Sequence, residues 1–134
     1  ERIQLAALDA SASDTNVKSK INAVKEALKD SEAALEIERL AREAAEARVS
    51  ALEQRLSLLN STAGEFTQQL DEGSNEEIAQ LLDVAQEEVE RSRAECQIAK
   101  KELRGAKSRV RQLEEEVLRL QKHEHALHAL LGSA

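Results

Sequence analysis

The 134-residue sequence predicts an all-α fold of two long coiled-coil helices, each about 55 residues in length. Composition is the first reason: 34% of the residues are charged, most of the others are strong helix formers, and proline is absent. The second reason is an apolar residue at alternating steps of four and three along most of the chain. Phe66 is the only aromatic residue, whereas compact globular cores rely on aromatic side chains.

The first expected boundary lies at residues 9–17, where Ser, Thr, Asn and Asp are frequent. These residues favour helix caps and turns over helix interiors. The sequence therefore predicts that residues 1–13 are the end of a preceding helix or a linker, and that the first coiled-coil helix covers 14–72.

The seam of this first helix follows an unbroken four-three spacing from Val17 to Leu70. Such a spacing keeps every seam residue facing one partner helix. Glu38 and Arg42 are charged members of the seam. The large apolar residues predicted to form it are Ile21, Val24, Leu28, Leu35, Val49, Leu52, Leu56, Leu59, Phe66 and Leu70.

A turn or hinge is predicted at residues 73–75, because the heptad phase breaks there. The phase shift matches neither of the usual coiled-coil insertions of three or four residues. Gly73 is typical of the position just past a helix C-terminus. Ser74, with Glu77 three residues later, forms a capping-box pattern that favours the start of a new helix.

The second coiled-coil helix is predicted to cover 76–131, with 132–134 as a tail. Its seam has the same four-three spacing, and the residues predicted to form it are Ile78, Leu82, Val89, Cys96, Leu103, Val110, Leu113, Val117, Leu120 and Leu127. Cys96 is the only cysteine, so the chain cannot form an internal disulfide, and a reducing, intracellular environment is favoured.

Two architectures fit these seams, and an antiparallel helical hairpin is slightly preferred over a continuous parallel dimeric rod. In the hairpin, seam layers pair residues whose numbers add to 148, which sets large residues against small ones, such as Leu56 against Ser92 and Val49 against Ala99. The phase break and the capping pattern favour this fold. Valine and leucine at alternate seam positions of the second helix favour the parallel dimer.

The hairpin also predicts ion pairs along the edges of the seam. Each exposed pair contributes only about 0–1 kcal/mol, so the pairs select the alignment of the helices more than they stabilise it. The predicted pairs are Arg39 with Glu114, Glu46 with Lys107, Arg48 with Glu102, Glu53 with Lys100, and Arg55 with Glu95.

A second apolar stripe lies on the first helix away from the seam, where an isolated helix pair should be polar. Ile37 and Leu40 are its large members, and they mark a possible second docking face for another helix. The other interpretation is that the stripe's remaining members, Ala33, Ala44, Ala47 and Ala51, are present only as good helix formers.

Composition and motifs argue against several functional classes. The net charge is −7 with no basic patch, so no nucleic-acid partner is expected. No apolar run reaches the ~18 residues of a membrane span. The string "HEHALH" places His123 and His128 five residues apart, which fails the H-E-x-x-H zinc motif by one residue. We therefore expect that the protein is not an enzyme, has no catalytic residue, and binds no small-molecule ligand, cofactor or metal.

In its heptads, and in nothing more, the chain resembles the rods of cytoskeletal, motor-tail, centrosomal and tethering proteins. We expect a structural and interaction segment of a larger intracellular protein, cytoplasmic or cytoskeleton-associated. Its partners would be proteins, either a second copy in a homodimer or another coiled coil. One alternative resembles the adaptor hairpins of bacterial export systems, which dock through the tip, here residues 64–82. Another is a stalk that binds cytoskeletal filaments.

Overall fold

The computed structural model of the protein describes the backbone of residues 2–132 and the side chains of residues 13–132. It consists of helix α1 (Arg2–Glu72) and helix α2 (Glu76–Gly132), which pack antiparallel as a hairpin. The preferred hairpin is therefore confirmed, and the chain does not form the continuous rod. Residues 1, 133 and 134, and with them most of the predicted tail, lie outside the described residues.

Helix α1 continues through residues 9–17, where the sequence analysis expects a boundary. Each Ser, Thr, Asn or Asp in a helix interior costs only about 0.5 kcal/mol relative to alanine, and propagation of an existing helix adds one hydrogen bond per residue. Val17 packs against the apolar cluster that contains Ile21, which supports the helical conformation from this point on. The side chains of residues 2–12 lie outside the described residues.

Asn75 caps the start of α2, one residue later than the expected Ser74. The Asn75 Oδ1 atom accepts hydrogen bonds from the backbone N–H groups of Glu77 at 2.9 Å and Ile78 at 3.4 Å. The N–H group of Ala79 donates to the Asn75 carbonyl at 3.0 Å, which is the first helical bond of α2. The capping-box prediction was wrong in its residues, because Asn is as good a cap as Ser and α2 begins at Glu76.

Gly73 ends α1 without the left-handed conformation that glycine often adopts at this position. Its N–H group donates to the Gln69 carbonyl at 3.2 Å, so the α-helical hydrogen bonding to the residue four positions earlier continues up to Gly73. No residue in the described part of the chain has a positive φ angle. A Cβ atom at Gly73 would meet no other atom within 4 Å. The backbone here does not require glycine.

The packed chain divides into two units, and the first is formed by 2–39 of α1 with 109–132 of α2. Its buried cluster contains Ile21, Val24, Leu120 and Leu127. Val17, Leu28 and Leu131 pack against this cluster, so it contains both members of three layers that the hairpin alignment predicts.

The second unit is formed by 40–108. Its most buried residues lie on α2 and are mostly small; they are Ala85, Val89, Ser92, Cys96, Ala99 and Ala106. The seam residues of α1 in this unit are half-buried. Small side chains on one helix are covered by longer ones from the other, whose outer ends stay in contact with water.

Candidate interaction surfaces

The predicted seam lies inside the hairpin. Eight of the predicted seam residues are buried: Ile21, Val24, Leu35, Val89, Cys96, Val110, Leu120 and Leu127. The others are half-buried: Leu28, Val49, Leu52, Leu56, Leu59, Phe66, Leu70, Ile78, Leu82, Leu103, Leu113 and Val117. Because these side chains pack α1 against α2, the surfaces that can meet another molecule lie elsewhere on the chain.

Three of the predicted ion pairs occur at the edges of the seam. The separations are 3.9 Å for Arg39 and Glu114, 3.9 Å for Arg48 and Glu102, and 3.3 Å for Lys100 and Glu53. All three lie on exposed side chains and fit the alignment in which seam partners add to 148.

Two predicted pairings differ in the structure. Arg55 lies 3.8 Å from Glu88 rather than beside Glu95. The long Arg55 side chain can reach either Glu88 or Glu95, which lie one heptad apart, so the sequence spacing does not decide between them. Glu46 lies 3.9 Å from Arg42 on its own helix and forms no ion pair with Lys107.

Some polar groups of the seam have hydrogen-bond partners, and others do not. Glu38 accepts a 2.9 Å hydrogen bond from Arg109, a pair that the sequence analysis did not include. The Arg42 Nε and Ser92 Oγ atoms are buried without a hydrogen-bond partner. Such groups destabilise the fold, because each has left water without gaining a partner.

The two residues of the predicted docking face are both exposed. Ile37 is 66% exposed and lies in the first unit, and Leu40 is 56% exposed and lies in the second. Since the boundary between the two units falls between these residues, each belongs to the surface of its own unit.

Within the second unit, Leu40 begins a longer apolar surface on α1. We call this surface the outer strip; it consists of Leu40, Ala44, Ala47, Ala51 and Leu58, all of which are exposed. Leu58 is 71% exposed and was missed by the sequence analysis. Its spacing continues the stripe, but Gln54 interrupts the apolar pattern before it.

The charge of the chain is unevenly distributed. Residues 56–90, which include the turn, contain nine of the 26 acidic residues and none of the 19 Lys and Arg residues. The rest of the chain is therefore slightly positive, although the net charge is −7. The segment at the turn end of the second unit is therefore acidic.

The histidines near the end of α2 do not assemble a metal site in the described residues. His128 Nε2 lies 3.4 Å from Glu124 Oε1, one helical turn away. No group of three His, Cys, Asp or Glu side chains within residues 13–132 is arranged to hold a metal ion.

Neither helix has an apolar stretch, within its described residues, that is long enough to cross a membrane. Comparisons of the chain with known protein families, with curated proteins and with solved structures found no match.

Proposed function

We propose that this hairpin is a structural and interaction element of a larger intracellular protein, in which it presents a helical face to a protein partner. The observation that carries the proposal is the outer strip. Its two leucines are each more than half exposed. They lie on α1, whose seam already packs against α2 of the same chain. Exposed large apolar side chains at helical spacing are typical of surfaces that dock another helix.

The rest of the proposal follows from the same features. The partner is a protein, either a second copy of the chain or another helix with an apolar face, and we assign no cofactor, nucleic acid, small molecule or enzymatic activity. The free, buried thiol of Cys96 fits a reducing cytoplasmic or cytoskeletal environment.

Photo-crosslinking in cells that express the whole protein tests this proposal. A photoreactive amino acid is placed at Leu40 or Leu58, and at Gln97 as an exposed polar control on α2. We expect protein adducts from the two strip positions and few from Gln97. Adducts that are equally frequent at all three positions, or absent from all of them, would contradict the proposal.

Docking through the tip is a second candidate, and one observation favours it. Leu81 is a large apolar residue that remains exposed close to the turn, although it lies within an acidic segment. A photoreactive residue at Leu81 separates the two candidates. Adducts from Leu81 with none from Leu40 and Leu58 would assign the function to the tip.

A further inference from the structure

The outer strip has the spacing of a second coiled-coil seam. Leu40, Ala44, Ala47 and Ala51 follow steps of four, three and four, and after Gln54 the same steps lead to Leu58. This repeat matches that of the buried seam but lies on the side of α1 that faces away from α2, since all of its residues are exposed. A surface with a seven-residue repeat fits a helix that runs along it for several turns.

The strip is also nearly symmetric about its centre. Counted from residue 49, Leu40 mirrors Leu58, and Ala47 mirrors Ala51. The third mirrored pair is Ala44 with Gln54. In an antiparallel pair of identical helices, mirrored positions lie opposite each other, as they do across any two-fold axis. A second copy of α1 would thus set leucine against leucine at both ends of the contact and alanine against alanine in the middle.

We propose that two copies of this chain associate through the outer strip, with their α1 helices antiparallel about a two-fold axis beside residue 49. The inference rests on the proposed function and names its partner as a second copy. The central alanines allow a close approach of the two helices, because interaxial distance depends on the side chains at the contact. The leucines close both ends of that contact.

One edge of the strip is basic, and the other carries a single acidic residue. Arg48 and Arg55 border one side, and they lie 3.9 Å from Glu102 and 3.8 Å from Glu88 of their own chain. Antiparallel pairing sets Arg48 of each copy close to Arg55 of the other, and the Glu102 and Glu88 carboxylates of each chain offset part of that repulsion. The other side is bordered by Glu43 and by uncharged serines.

The acidic turn end selects the antiparallel orientation. In a parallel pair, the 56–90 segments of both copies would lie side by side, and each carries nine acidic residues without a basic one. The acidic side chains of two adjacent segments would repel each other. The antiparallel pair places the two segments at opposite ends of the contact, so the repulsion is avoided.

The contact is short, which predicts a reversible dimer. Residues 40–58 span about 28 Å of helix, which is less than three heptads. An interface of that size is at the lower limit for specific association, so dimerisation should depend on protein concentration.

Sedimentation equilibrium of the full 134-residue chain over a range of concentrations tests the dimer. We expect Leu40→Glu and Leu58→Glu each to raise the dissociation constant by at least about 100-fold, since each change removes two leucine contacts per dimer. Ile98→Glu is the matched control, because Ile98 is 57% exposed but lies on α2, away from the strip. Unchanged helical circular dichroism of all three variants verifies their fold.

Disulfide trapping tests the orientation. In a Cys96→Ala background, chains with Ala44→Cys are mixed with chains that carry Gln54→Cys. The antiparallel dimer brings these two positions together, while the two copies of residue 44 are offset by about 15 Å along the helix. Disulfides need Cα atoms within about 7 Å, so we expect mixed disulfides only.

Three results would overturn the dimer: a chain that stays monomeric at all concentrations, an Ile98→Glu variant that weakens it as strongly as Leu40→Glu, or disulfides between two copies of residue 44. None of them contradicts the proposed function, because photo-crosslinking in cells would still reveal another protein bound to the same strip.

Discussion

Glu38 on α1 accepts a 2.9 Å hydrogen bond from the Nε atom of Arg109 on α2, although 71 residues separate the two in sequence. Glu38 occupies a seam position, and its side chain is only 25% exposed. A carboxylate at such a position needs a partner, because it has lost part of its hydration. Arg109 supplies that partner from the edge of the seam, so the pair helps to fix the alignment of the two helices.

We predict that Glu38 and Arg109 stabilise the hairpin jointly. In a double-mutant cycle with Glu38→Gln and Arg109→Gln, we expect a coupling free energy of about 0.5–1 kcal/mol. Urea unfolding followed by circular dichroism measures it. The coupling should decrease in roughly 1 M salt, because the Arg109 side chain is 54% exposed. The control is the same cycle with Glu36→Gln, at an exposed position on the same helix, in place of Glu38→Gln. If Glu36 coupled to Arg109 as strongly as Glu38 does, the Glu38–Arg109 pair would not be specific.

Asn75, rather than Ser74, should determine the stability of the start of α2. Its side chain accepts hydrogen bonds from two N–H groups that have no partner within the helix. We expect Asn75→Ala to lower the free energy of unfolding by about 1 kcal/mol, and Ser74→Ala to leave it nearly unchanged. Thermal or urea unfolding of both variants gives the comparison. If Ser74→Ala lowered the free energy of unfolding more than Asn75→Ala does, Ser74 would be the cap, as the capping-box pattern in the sequence predicts.

Replacing Gly73 with alanine should not destabilise the protein. Gly73 has no positive φ angle, and a Cβ atom at this position meets nothing within 4 Å. Alanine restricts the unfolded chain more than glycine does, so we expect Gly73→Ala to raise the free energy of unfolding by about 0.4–1 kcal/mol. Urea unfolding followed by circular dichroism measures the change.

Gly64→Ala is the matched reference for this substitution. Gly64 lies within α1 and has equally open surroundings. Alanine there should stabilise the protein by about 1 kcal/mol. If Gly64→Ala stabilised the chain while Gly73→Ala destabilised it, a left-handed Gly73 would be indicated instead.

The fold could be predicted from the sequence because it depends on spacing. The four-three repeat identifies the residues that face a partner helix, and the phase break at 73–75 indicates where the chain reverses. Details that depend on a choice between equivalent groups could not be predicted. Ser74 and Asn75 are both good caps, and the first turn of α2 decides between them. Arg55 can reach either Glu88 or Glu95, and only the packed structure selects Glu88.

The candidate surface was predicted in part. Ile37 and Leu40 were identified as apolar residues away from the seam, but Leu58 was not, because Gln54 breaks the run of apolar residues. The mirror symmetry of the outer strip becomes visible only when Leu58 is included. A search for spacing that tolerates one polar residue would have found it.

The last prediction concerns a local pair on α2, Glu116 and Arg119. Arg119 donates two hydrogen bonds to the Glu116 carboxylate, at 3.1 Å and 2.6 Å. These hydrogen bonds lower the pKa of Glu116 below its ordinary value; partial desolvation opposes the shift, and the charge of Arg119 adds to it. Because the pKa is lower in the folded state, the pair stabilises the fold above the ordinary pKa of glutamate. That stabilisation is lost as the pH falls through the lowered value.

Carbon-detected NMR titration of the glutamate carboxyl groups measures this pKa directly. We expect Arg119→Gln to raise the pKa of Glu116 to its ordinary value or slightly above it, because the substitution removes the hydrogen bonds and the positive charge and leaves only the effect of desolvation. Lys122→Gln, one turn further along α2, is the control and should leave the pKa unchanged. If the pKa of Glu116 stayed low in the Arg119→Gln variant, the shift would have to arise from another group of the folded chain.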